Sequence, residues 1–141
     1  MRAPACIWPI LAVLLFGSGL ARGGNISLPP CPDSPNCVSS QAPDPARQVA
    51  PLQPANNRQD SIDRLRSVVT ELPRTSWQQT AEDRAEATFT SALFRFVDDV
   101  SFYFHEDGRV DVRSASRVGH WDLGANRRRV EQLRQRLNGL N

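Results

Sequence analysis

Strict alternation of apolar and polar residues on either side of Glu106-Asp107-Gly108 constrains the fold of this chain more than any other feature. The alternating apolar positions are Val100, Phe102, Phe104, Val110 and Val112. Cross-strand partners lie on the same face of a sheet, so Phe104 must pair with Val110. That pairing requires a three-residue loop with Gly108 in the left-handed conformation. The sequence therefore predicts an antiparallel hairpin with one buried face.

Apolar residues at helical spacing predict two amphipathic helices. The first extends from Asp60 to Leu72 and is ended by Pro73. The second extends from Leu123 to Asn138, with Asp122 as its N-cap. Gly139 is expected in a left-handed conformation just beyond its end.

Two further β-type stretches, Thr75 to Thr80 and Ala85 to Thr90, flank the polar turn at residues 81–84 and predict a second hairpin. Residues 93–97 are too continuously apolar to be assigned from their period. These elements predict a two-layer α+β domain over residues 58–141. We expect an antiparallel sheet of about four strands with two helices packed on one face.

Residues 1–21 have the features of a secretory signal peptide: Arg2, an apolar run from Cys6 to Phe16, and small residues at Gly19-Leu-Ala21. Cleavage there predicts a periplasmic or secreted protein that begins at Arg22. The alternative is an uncleaved membrane anchor formed by residues 3–20. Contact with a membrane is expected only in that case.

A proline-rich arm follows over residues 22–57, and eight of the 11 prolines of the chain lie between Pro29 and Pro54. Cys31 and Cys37 are the two cysteines left after signal cleavage, and their close spacing in an exported chain predicts a disulfide. No metal site is expected, because a zinc site needs two more soft ligands and the two histidines lack paired spacing.

Charge excludes one class of function. The 141-residue chain has a net charge of only +2, without the strong basicity typical of nucleic-acid-binding proteins. We therefore expect no nucleic-acid partner. We interpret the arginine-rich second helix as a solvated face whose long side chains cover the edges of an apolar stripe, and the alternative is a patch that binds nucleic acid or a membrane.

The predicted register directs four polar residues into one end of the apolar core: Asp98, Ser114, Ser116 and Asn126. One hypothesis is a satisfied hydrogen-bonded network that attaches the helix to the sheet. The other is a polar pocket for a carboxylate or phosphate, with Arg95 and Arg117 at its rim and the helix N-terminus adding positive potential. Both hypotheses remain open at this point.

Catalysis is the alternative function. A Ser-His-Asp set can be written from Ser116, His120 and Asp98, but the sequence has no nucleophile elbow and no glycine-rich phosphate loop. We therefore expect a non-catalytic exported domain without a cofactor. It is predicted to bind a small anion or a protein partner through the polar cluster, with an enzyme of unknown reaction as the alternative.

Three runs resemble a known family: CPDSPNCVSS at residues 31–40, LFRFVDD at 93–99, and VRSASRVG at 112–119 continuing through DLGANR at 122–127. They are similar to domain-of-unknown-function family 1499, over about Cys31 to Leu137. The resemblance implies a small exported or membrane-attached protein, and it implies no established activity. A Tyr is common in that family at the position of His120, which argues against a catalytic role for His120.

Overall fold

A computed structural model describes residues 28–140. The predicted signal segment and the first residues of the arm lie outside the described residues. The elements follow in chain order: β1 Cys37–Ser39, α1 Arg58–Thr70, β2 Thr75–Ala81, β3 Arg84–Thr90, β4 Val97–Phe104, β5 Val110–Ser116 and α2 Ala125–Asn138. No helix within residues 28–140 is both long enough and apolar enough to cross a membrane.

The strands form one antiparallel sheet in the order β1-β5-β4-β3-β2, and both helices pack on the same face of it. The predicted α+β class is confirmed. The register of the central hairpin is also confirmed, because Phe104 pairs with Val110 and Phe102 with Val112. Gly108 has a φ of 81°, and a Cβ there would lie 2.2 Å from the backbone oxygen of Ala55, so only glycine fits.

The sheet has five strands rather than about four, and the additional strand comes from the arm. β1 pairs with β5 through Cys37–Ala115 and Ser39–Arg113. Its three residues are too few to show alternation in the sequence. The Cys31–Cys37 disulfide is present and closes the loop that leads into this strand. The predicted disulfide is therefore confirmed in the structure.

The rest of the arm is attached to the domain at several places, among them the backbone oxygens that accept hydrogen bonds from Arg127 and Arg134 of α2. Leu52 is buried and exchanges backbone hydrogen bonds with Val110. Ser40 and Gln41 donate to the carboxylate of Asp111, each over 2.9 Å, and His105 lies 2.8 Å from the same group. Burial opposes ionisation of Asp111, but these hydrogen bonds and nearby Arg109 outweigh burial and lower the pKa of the carboxyl group.

The helix ends differ from prediction for local reasons. α1 begins before Asp60 because the side chain of Asn57 accepts a hydrogen bond from the backbone N–H of Asp60 and caps the helix. α2 begins at Ala125 because Leu123 and Gly124 both have left-handed φ angles and cannot continue a helix. The prediction for Gly139 is wrong: its φ is −76°, and its N–H bonds within the last helical turn.

Candidate functional site

The four predicted polar residues meet at the end of the sheet where β4 begins and β5 ends. Asp98 pairs with Ser116 and Val100 with Ser114, as the alternation predicts. Asn126, in the first turn of α2, packs over these two strands because it lies on the same helical face as Val130 and Leu133. Ser114 and Asn126 are fully buried, and Asp98 is buried.

Asn126 is the centre of this polar cluster, which we define as Asn36, Asp98, Ser114, Ser116, Asp122, Asn126 and Arg129. Its Oδ1 accepts hydrogen bonds from Ser114 Oγ at 2.6 Å and from Arg129 Nη1 at 2.8 Å. Its Nδ2 lies 2.9 Å from the backbone oxygen of Asn36 and 3.0 Å from Ser116 Oγ. The cluster is closed and hydrogen-bonded.

Arg129 is the functional group that sequence reasoning missed. It donates to Asp98 in a largely buried ion pair, and its guanidinium carbon lies 5.0 Å from the centre of the Phe89 ring. The signal for it was its spacing, since a residue three positions after Asn126 lies on the same side of the helix. The expectation of a solvated face is therefore wrong for Arg129, whose side chain is largely buried.

Asp122 closes the cluster at the N-terminus of α2. Its carboxylate accepts from the backbone N–H of Gly124 at 2.8 Å and of Asn126 at 3.0 Å, so it caps the helix from three residues before Ala125. It also accepts from the Asn126 side chain at 2.8 Å. Burial opposes ionisation of Asp122, but these hydrogen bonds outweigh burial and lower its pKa.

The structure does not bring the other two predicted site residues to this cluster. Arg117 lies on the opposite face of the sheet, where it forms a two-bond ion pair with Asp99. Arg95 is exposed in the β3–β4 loop, with a left-handed φ of 58°. They lie apart because alternate strand residues point to opposite faces and because loop positions have no periodicity.

A catalytic triad is not formed either. Asp98 is paired with Arg129, and the hydroxyl of Ser116 accepts from Asn126. His120 is exposed, and its ring packs against Trp121. Within residues 28–140, no group of three His, Cys, Asp or Glu side chains is arranged to hold a metal ion.

Beside the closed cluster lies an open cleft of about 340 Å³, which we call the arginine cleft. Three segments form it: the α1–β2 loop, the end of β3 and the first two turns of α2. Among residues 28–140, its charged lining residues are Arg74, Arg128 and Arg129, and no Asp or Glu of this range lines it. Arg129 thus belongs to both the cluster and the cleft.

Two of these arginines each donate a single side-chain hydrogen bond within the described residues. Arg74 donates Nε to the backbone oxygen of Thr90 at 3.2 Å, and Arg128 donates Nη1 to that of Leu123 at 2.7 Å. Both side chains belong to exposed residues, and neither forms an ion pair with a carboxylate of the described chain. Their remaining N–H donors are available to a ligand.

Comparison with known proteins places the chain in a family. The model of a protein of unknown function (DUF1499) matches residues 27–137. The chain belongs to this family. The match spans both the arm and the polar cluster, as the three sequence runs predicted. No curated protein and no solved structure matches the chain.

Proposed function

We propose that this DUF1499 protein is an exported, non-catalytic domain that binds a small anion, a phosphate or carboxylate, in the arginine cleft. The observation that carries the proposal is the convergence of Arg74, Arg128 and Arg129 on a cleft without acidic lining residues. Arginine recognises such anions through paired, charge-assisted hydrogen bonds. The proposal retains the ligand class expected from the sequence but moves the site from the polar cluster to the cleft beside it.

The polar cluster itself is unsuited to direct binding. Asn126 and Ser114 have no exposed surface, and Arg129 already neutralises Asp98. A ligand would have to break several hydrogen bonds to enter. The cluster instead supports the cleft, because it holds Arg129 and the first turn of α2 in place.

A larger cleft of about 650 Å³ along the arm is a weaker candidate. Its one cationic lining residue, Arg47, donates to the backbone oxygens of Pro32 and Asp33 and pairs with Asp44. The guanidinium of Arg47 is therefore already engaged by the protein. The arginine cleft differs because, in the part of the chain that the structure describes, its cations have no carboxylate partner apart from the Arg129–Asp98 pair.

Backbone geometry also supports the arginine cleft. Within residues 28–140, the non-glycine residues with a left-handed φ are Arg74, Arg95 and Leu123. Arg74 lines the cleft, and Leu123 supplies the oxygen that Arg128 bonds. Such conformations cost about 1 kcal/mol or more each and concentrate at functional sites.

The test is titration of the domain with inorganic phosphate and with acetate, followed by ¹H–¹⁵N NMR. We expect saturable shifts of the amides of Thr90, Ser91 and Ala125, which line the cleft. The Arg74→Gln/Arg128→Gln variant should bind at least about tenfold more weakly, since hydrogen bonds to charged groups contribute about 1.5–3 kcal/mol each.

Arg136→Gln is the matched control, because this exposed arginine lies on α2 two turns beyond Arg128 and does not line the cleft. It removes a similar positive charge and should leave the affinity unchanged. Equal weakening by the control would indicate a non-specific charge effect. Absence of saturable binding in the wild type would reject the proposed function.

A further inference from the structure

The large apolar side chains that the described domain exposes are concentrated at one end. Seven such residues are more than half exposed, and six of them lie in two loops, residues 91–96 and 117–124, which we call the apolar loops. These six are Leu93, Phe94, Phe96, Val118, Trp121 and Leu123. A concentration of this kind on a small domain marks a contact surface.

The two apolar loops are neighbours, and backbone hydrogen bonds fix both of them at the end of the sheet. The first is closed by a hydrogen bond from Ser91 N–H to the oxygen of Phe96, and the Phe94 and Phe96 rings stack at 5.6 Å. The second is joined to the start of β4 through a hydrogen bond from Arg117 N–H to the oxygen of Val97. Both loops therefore extend from the same end of the sheet.

The arginine cleft opens between the bases of these two loops. Ser91, the first residue of one loop, and Ala125, the residue after the other, both line the cleft. Arg128 donates to the backbone oxygen of Leu123, in the second loop. The apolar loops and the arginine cleft thus form one surface.

The positive charge of this surface comes from Arg95 and the arginine cleft, since Arg117 of the second loop pairs with Asp99. The first loop contains Arg95 and no acidic residue. The single carboxylate of the second loop, Asp122, is engaged by the N–H groups at the start of α2. Surfaces that enter the interfacial region of anionic membranes have this composition, with exposed Phe, Leu and Trp side chains beside arginines.

We propose that the apolar loops insert into the surface of a bilayer containing anionic phospholipids, while the arginine cleft takes the phosphate of a lipid headgroup. This inference rests on the proposed function and names its ligand class. It extends the expectation from sequence, in which membrane contact depended on residues 3–20, because the loops supply contact without that segment. A protein partner would use the same apolar residues but would not require phosphate in the cleft.

The test is co-sedimentation with vesicles, using the chain from Arg22, which contains every described residue and lacks the predicted signal segment. Vesicles of phosphatidylcholine mixed with phosphatidylglycerol are compared with vesicles of phosphatidylcholine alone. We expect binding to the anionic vesicles, a blue shift of tryptophan fluorescence that the variant lacking Trp121 does not show, and competition by high concentrations of inorganic phosphate.

Phe94→Ser/Trp121→Ser should lower the partition coefficient by about tenfold or more, because both rings leave water on insertion. Leu140→Ser is the matched control: Leu140 is 54% exposed and lies outside the apolar loops. It should bind vesicles like the wild type. Circular dichroism melts of all variants show whether the fold is kept, and these exposed positions should not change it.

The outcomes separate the two proposals. Saturable phosphate binding without vesicle binding would overturn the lipid inference and leave the proposed function standing. Equal binding to both kinds of vesicle, unaffected by Arg74→Gln/Arg128→Gln, would overturn the headgroup assignment. Concentration-dependent self-association that Phe94→Ser/Trp121→Ser abolishes, without vesicle binding, would assign the loops to a protein contact and overturn the inference.

Discussion

Replacement of Asn126 by alanine tests whether the polar cluster is a closed structural network or a hydrated pocket. The side chain is fully buried and is the point at which α2, β5 and the disulfide loop meet. Alanine keeps the helix and removes only the amide. The free energy of unfolding then reports what the amide contributes.

The magnitude follows from which partners lose their only bond. The oxygen of Asn36 keeps a hydrogen bond from Ser116 N–H, and Ser114 Oγ keeps its contact with Arg129 at 3.1 Å. The Ser114 hydroxyl proton loses its acceptor, and Arg129 loses one of its acceptors. One to two buried groups that each lose a partner, at about 1–3 kcal/mol each, give an expected loss of about 1–6 kcal/mol.

Urea denaturation of wild type and Asn126→Ala, followed by circular dichroism, measures this difference. Asn138→Ala is the matched control, because Asn138 is an exposed residue at the end of the same helix and gains the same propensity from alanine. It should change stability by less than about 0.5 kcal/mol. A loss below about 1 kcal/mol for Asn126→Ala would refute the closed network, since a hydrated cluster would replace the amide with water.

The remaining predictions concern the disulfide, the predicted signal segment and two hydrogen-bonded carboxylates. The Cys31→Ser/Cys37→Ser variant should lose about 2 kcal/mol of stability, because the disulfide closes a short loop. The intact mass of exported protein, alkylated without reductant, should show that both cysteines are oxidised and that the chain starts at Arg22. Alkylated thiols or retained residues 1–21 would contradict this. The pKa values of Asp111 and Asp122 are lowered from 3.8 in the folded protein. The ionised carboxylate of each therefore stabilises the fold above pH 3.8, and this stability is lost as the pH falls through the lower pKa of the folded state. Urea melts of Asp111→Asn should show a weaker loss below pH ~4 than the wild type, and an identical slope would contradict the role of Asp111.

The central hairpin could be predicted from sequence because its restraints are local. Alternation decides which residues face the core, and the left-handed requirement at Gly108 decides the loop length. The same alternation predicts that the side chains of Asp98, Ser114 and Ser116 point toward the core. β1 could not be predicted, since its three residues become a strand only through pairing with β5.

The arginine cleft could not be predicted for a different reason. Arg74, Thr90 and Arg128 come from three distant segments, and no sequence spacing relates them. Only the packing of α1 and α2 on the sheet places them around one space. Arg95 and Arg117 are close in sequence to residues of the cluster, but strand alternation and loop geometry direct them elsewhere.

Arg129 links the stability of the fold to the proposed site. One Nη donates to Asp98 and the other to Asn126, while the same residue lines the cleft. Loss of Asn126 should therefore weaken both the fold and anion binding, because the first turn of α2 carries Arg128 and Arg129. Loss of Arg74 and Arg128 should weaken binding alone, since their protein contacts are single hydrogen bonds to exposed backbone. This asymmetry is expected of a binding surface built on a closed scaffold. If the cluster itself held the anion, loss of Asn126 would weaken binding with little loss of stability, and loss of Arg74 and Arg128 would leave binding unchanged.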